Sequence, residues 1–151
     1  MYCDWIIKVL YSNLDCLCRY NELDTCKLKD YKMTFEEWEL LAKQGIAEAQ
    51  YNLGLMFSRG KEVPRDDKKA VKWYQLAAEQ GLAQSQTNLG LMFGKGQGVE
   101  QDYVEAHKWF NISGINGNEI GRKNADIIEN KMTPGQIAVA VGLTRKWLEK
   151  L

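Results

Sequence analysis

Asn88-Leu89-Gly90-Leu91-Met92-Phe93 repeats, residue for residue, what the chain reads 36 positions earlier at Asn52-Leu53-Gly54-Leu55-Met56-Phe57. Extended in both directions, residues 46–81 lie over 82–117 without a gap and with 15 identities in 36 positions. Ala47/Ala83, Gln50/Gln86, Asp66/Asp102, Ala70/Ala106, Trp73/Trp109 and Gly81/Gly117 all stay in register. A fixed period of this length marks a stacked-unit architecture, in which each unit buries its apolar face against its neighbours.

Each unit carries the helical rhythm twice. Ala49, Leu53, Met56 and Phe57 fall three and four apart and predict a helix over about 47–59. Gly60 and Pro64 then punctuate a loop, and Asp66 stands where a helix needs a cap. Ala70, Trp73, Tyr74 and Ala77 predict a second helix from Asp67 to about Gln80, closed by Gly81. Gly54 and Gly90 sit inside helices, where glycine costs about 1 kcal/mol relative to alanine. The same cost in both units implies close helix contact, with Ala70 and Ala106 as the expected small partners. Ser113 and Gly114 replace Ala77 and Ala78 in the second unit, and Gly114 is expected to loosen its helix.

Upstream, Thr34 and Glu37 form a capping box for a helix that stops at Gly45. Residues 39–45 resemble 75–81, so 34–45 reads as the second helix of a truncated unit. Downstream, residues 118–131 read as a degenerate first helix containing Ala125, Ile127 and Ile128. Thr133-Pro134-Gly135-Gln136 opens a last helix whose apolar residues are Ile137, Val141, Leu143, Trp147 and Leu148. That helix is expected to cover the open end of the stack. The expected domain therefore spans 33–151: the partial unit 34–45, repeats 46–81 and 82–117, and a terminal cap 118–151.

The pattern Ala-x-Ala-Gln-x-Asn-Leu-Gly-x-Met-Phe-x-x-Gly-x-x-Val-x-x-Asp-x-x-x-Ala-x-x-Trp-Tyr-x-x-Ala-Ala-x-x-Gly, running from Ala47 to Gly81, resembles the Sel1-like repeat. That family is a relative of the tetratricopeptide repeat. The resemblance implies an all-α fold, a right-handed α-solenoid of antiparallel helix pairs with a capping C-terminal helix. The run Lys131-Met132-Thr133-Pro134 with Gln136, Ile137, Ala138 and Ala140 resembles the end of many bacterial Sel1-like proteins. Some cysteine-rich secreted members are described as binding penicillins or hydrolysing β-lactams, with a disulfide in each repeat. The matching places here, Gln50 with Ala78 and Gln86 with Gly114, are not cysteines.

Twenty basic residues balance twenty acidic ones, so no global field points to nucleic acid or an anionic membrane. No apolar run reaches the roughly 18 residues of a bilayer span, and the N-terminus lacks a secretion signal's basic start. A cytoplasmic location is the expectation. Cys3, Cys16, Cys18 and Cys26 fit no zinc spacing and read as free thiols. Residues 1–32 stand outside the repeat, either as an N-terminal helix or as sequence upstream of a natural start at Met33. His107 has no cysteine or serine at a motif spacing, and Gly94-Lys95-Gly96-Gln97-Gly98 lacks the preceding strand of a dinucleotide fingerprint. No catalytic residue, cofactor or metal is expected.

The expected function is that of a non-catalytic interaction module or adaptor binding a protein or peptide. In related superhelices the first helix of each pair lines the concave side. That maps the partner face here to Glu48, Tyr51, Leu55 and Arg59, then Gln84, Thr87, Leu91 and Lys95. Leu55 and Leu91 either meet a partner or pack against adjoining units. The alternative function is a structural or oligomerising subunit, with the chain otherwise a monomer or weak homo-oligomer. The partner's identity is not legible.

Overall fold

The computed structural model describes residues 33–150, and the expectations attached to residues 1–32 lie outside the described residues. Seven helices and no strand occur among the described residues. They are α1 Phe35–Lys43, α2 Ala47–Arg59, α3 Asp67–Glu79, α4 Ala83–Lys95, α5 Tyr103–Ile115, α6 Glu119–Glu129 and α7 Pro134–Leu148.

Side chains near each helix start explain most of these boundaries. Thr34 accepts from the Glu37 amide while the Glu37 carboxylate accepts from the Thr34 amide at 2.8 Å. Thr133 and Gln136 make the same reciprocal pair ahead of α7, with Pro134 in its first turn. Asp66 accepts from the Lys69 amide and Asp102 from those of Val104 and Glu105, so these carboxylates stand in equivalent places as caps. Gly45, Gly81 and Gly117 make the turns into α2, α4 and α6 with φ of 90°, 93° and 88°, where a side chain is disfavoured.

Successive helices pack as neighbours, α1 on α2, α2 on α3, and so on through α6. That linear order is a helical solenoid. The hairpins nest at the two helical glycines. A Cβ added to Gly54 would lie 2.5 Å from the Tyr74 ring, and one on Gly90 would lie 2.6 Å from the Phe110 ring. The partner is therefore mainly an aromatic face one turn beyond Ala70 or Ala106, although the Ala106 carbonyl also lies 3.1 Å from the Gly90 position. The glycine makes room for a ring rather than for a second small residue.

Gly114 does not loosen its helix, because α5 runs unbroken to Ile115. Buried Gly114 instead admits the start of α6, with Arg122 3.3 Å from where its Cβ would stand, and Gly121 approaches Ser113 in return. Two close-approach glycines thus bring α5 and α6 together.

Each unit is tied to the one before by a buried glutamine. Gln50 donates to the Ala42 carbonyl at 3.2 Å, and Gln86 donates to the Ala78 carbonyl at 3.0 Å. Each glutamine also accepts from an amide 30 residues on, Gln80 at 2.7 Å and Asn116 at 2.9 Å. The last turn of a helix leaves carbonyl capacity unused, and these side chains take it up.

The C-terminal helix α7 closes apolar surface of the stack, as expected, by lying against the second repeat. Its principal neighbour is α5, not α6. Trp147 meets Trp109 edge-on at 6.1 Å, and the apolar surface it helps to cover belongs to the second repeat. Ile120 and Ile127 on α6 stay exposed.

One buried group is unmatched. The Ser85 hydroxyl is fully buried and has no hydrogen-bond partner among the described residues, while its counterpart 36 residues earlier is Ala49. Ser85→Ala is expected to raise unfolding free energy by about 1 kcal/mol, since an unsatisfied buried hydroxyl costs roughly 1–3 kcal/mol. Urea titration checks this, and a loss of stability would mean that the hydroxyl is satisfied.

Candidate functional site

The expected partner face lies on α2 and α4, and its residues do not all share one environment. Glu48 and Arg59 are exposed at the two ends of α2, as are Gln84 and Lys95 on α4. Arg59 and Lys95 each close a last helical turn, where a cation also answers the helix dipole. Tyr51 is half-buried, its ring 6.1 Å from that of Tyr74. Leu55 and Leu91 are half-buried too: Leu55 packs on the central core, and Leu91 packs on the cluster of Ala106, Phe110, Ala125 and Ile128. Packing within the stack thus covers part of each leucine and leaves the rest exposed.

Thr87 departs from the row. It is 5% exposed, and its hydroxyl pairs with that of Ser113 at 2.7 Å. Ser113 in turn donates to the Ala83 carbonyl at 2.8 Å. The first unit has Tyr51 and Ala77 at these two places, and the second has two short hydroxyl residues that pair. Thr87 is not available to a partner.

Asn52 and Asn88 lie half-exposed on the same two helices, and Asn124 follows at the same interval on α6. The 36-residue period that fixed the fold would also have found them. Asn52 donates to the Glu48 carbonyl at 2.9 Å. Asn88 reaches the Tyr74 hydroxyl, which also meets Ser58 at 3.1 Å. Burial pushes the Tyr74 phenol up, and the Ser58 hydrogen bond pulls partly against that rise.

His107 and the glycine-rich run both make contacts between helices. His107 is fully buried, with Nε2 2.7 Å from the Glu129 carboxylate and Nδ1 3.0 Å from the Asn111 amide. It joins α5 to α6. In the glycine-rich run, Gly98 has φ 70°, and an added Cβ would lie 2.4 Å from the Asp67 carbonyl. That loop is pressed onto the start of α3. Among the described residues, no group of three His, Cys, Asp or Glu could hold a metal ion, and no helix is long and apolar enough to cross a membrane.

An open groove of about 640 Å³ runs between α1 and α3, with Phe35, Phe57, Val63, Trp73 and Leu76 among its walls.

Residues 47–82 and 83–118 match the family model of the Sel1 repeat. The chain carries two Sel1 repeats. Each spans one first helix, its loop and the second helix that packs on it. A solved structure of c5321, a protective antigen of uropathogenic Escherichia coli strains displaying an SLR fold, is 40% identical with a TM-score of 0.75. The likeness covers 76% of this chain and 25% of that one. A Sel1 repeat protein from Oxalobacter formigenes is 32% identical with a TM-score of 0.59, covering 61% of this chain and 38% of that one. DAP3-binding cell death enhancer 1 of Rattus norvegicus is 41% identical over 54 residues, and its counterpart in Mus musculus is 39% identical. That likeness covers 34% of this chain, which spans only 11% of those relatives' length. Sel1 repeat proteins generally mediate protein–protein interaction, and the fold is typically non-catalytic.

Proposed function

We propose that this protein is a non-catalytic interaction module, spanning 33–151, that takes a protein or peptide segment along its first helices. The carrying observation is the recurrence of exposed polar groups at equivalent places in the two repeats: Glu48 with Gln84, and Arg59 with Lys95, flanking Asn52 and Asn88. A segment lying there meets one amide per unit and two cations at the row's end. Peptide backbone would pair with the amides and acidic side chains with Arg59 and Lys95. Relatives named for binding DAP3 are consistent with a protein partner as a class.

The test uses the full chain as bait in affinity capture, with partners identified by mass spectrometry. Arg59→Glu combined with Lys95→Glu is expected to weaken capture of the same partner by about tenfold or more. Both positions are exposed but each closes a helix, so a modest drop in the melting midpoint is expected, and circular dichroism checks that the reversed chain folds. A partner held equally well by the reversed chain would remove this face from the function.

A further inference from the structure

The period allows the two second helices to be compared position by position, and they differ in how far they are covered. Trp109, Ile112 and Lys108 of α5 correspond to Trp73, Leu76 and Lys72 of α3. Ile112 is 0% exposed and Trp109 4%, while Leu76 is 44% exposed and Trp73 only half-buried. The helix α7 makes the difference: it packs on α5, placing Trp147 against Trp109. The equivalent face of α3 has no such cover among the described residues, and it forms one wall of the groove against α1. Phe35 and Phe57 stand edge to face at 5.8 Å at the same groove.

The chain thus shows, on its own second repeat, what this kind of face receives: a helix with a tryptophan on its inner side. The rim shows how the first repeat's occupant must differ. Beside α7, Lys108 is tied to Glu105 and stacks on the Trp109 ring at 4.6 Å. At the open groove the Glu105 place is Lys69, so two lysines line one edge, against Glu39 on α1. Lys69 lies 3.7 Å from Asp66 and over the Phe57 ring, whereas Lys72 has no oppositely charged partner among the described residues.

We propose that the α1/α3 groove docks an amphipathic helix of a partner protein through a tryptophan anchor on Trp73 and Leu76, with an acidic residue beside the anchor answering Lys72. This surface is distinct from the first-helix row and stands or falls without it.

The test is isothermal titration of the full chain with two synthetic peptides of residues 133–150, each held helical by a hydrocarbon staple. One has the native sequence, and the other carries Arg145→Glu and Lys146→Glu beside Trp147. The acidic peptide is expected to bind saturably and about threefold or more tighter than the native one. Leu76→Arg is expected to weaken it about tenfold or more, because it closes the apolar floor. Lys72→Glu is expected to reverse the preference between the peptides. Both positions are exposed, and circular dichroism of the variants checks that they fold. Absence of saturable binding overturns the proposal. So does affinity unchanged by Leu76→Arg, which would place the peptide in α7's own seat. A full-chain dimer that Leu76→Arg dissolves would also overturn it, assigning the groove to a second copy.

Discussion

Trp109→Ala is expected to cost about 3–5 kcal/mol of unfolding free energy, the usual range for deleting a buried tryptophan, and Trp73→Ala clearly less. The two residues occupy the same place in successive repeats, so intrinsic helix preference cancels in the comparison. What remains is the seat of α7: Trp109 is buried under Trp147, and Trp73 edges an open groove. Urea denaturation followed by circular dichroism reads the difference. Equal costs would mean that α7 does not rest on α5.

Gly90→Val is expected to destabilise by about 3 kcal/mol or more, beyond the common range for overpacking, because three added carbons must enter an occupied space. The first of them would already lie 2.6 Å from the Phe110 ring and 3.1 Å from the Ala106 carbonyl. The ring cannot retreat freely, since Phe110 is buried among Ala106, Ala125 and Ile128. The opposing effect is small: valine is a better helix former than glycine by a few tenths of a kcal/mol. A melting point unchanged by Gly90→Val would show that α4 and α5 do not nest at this glycine.

The repeat, its helix pairs and its caps were legible because each depends on neighbours in sequence. Asp66 and Asp102 cap their helices because a carboxylate stands next to free amides, and that needs no knowledge of the fold. Features that depend on distant residues were legible only in part. The sequence shows that Gly54 needs room, but helix rotation decides whether Ala70 or Tyr74 fills it. Thr87 stands in the row expected to meet a partner, yet it is buried with its hydroxyl paired to that of Ser113, 26 residues away. The buried link from His107 to Glu129 spans 22 residues. The path of α7 had least support, because residues 118–151 have only a degenerate likeness to the repeat and nothing fixes their register. On the first-helix row the exposed members Glu48, Arg59, Gln84 and Lys95 follow from helical spacing alone, whereas the half-burial of Leu55 and Leu91 reflects the cluster each packs against.

The glutamine links have a consequence for how such a chain can lengthen. Gln86 finds its acceptor on the helix before it and its donor at the end of its own hairpin, as Gln50 does one unit earlier. A duplicated 36-residue segment spliced in after Gly81 would therefore arrive with its own plug and its own socket. Growth by tandem duplication asks for no new fastening, and the joint between residues 81 and 82 is where evolution or an engineer can cut and paste.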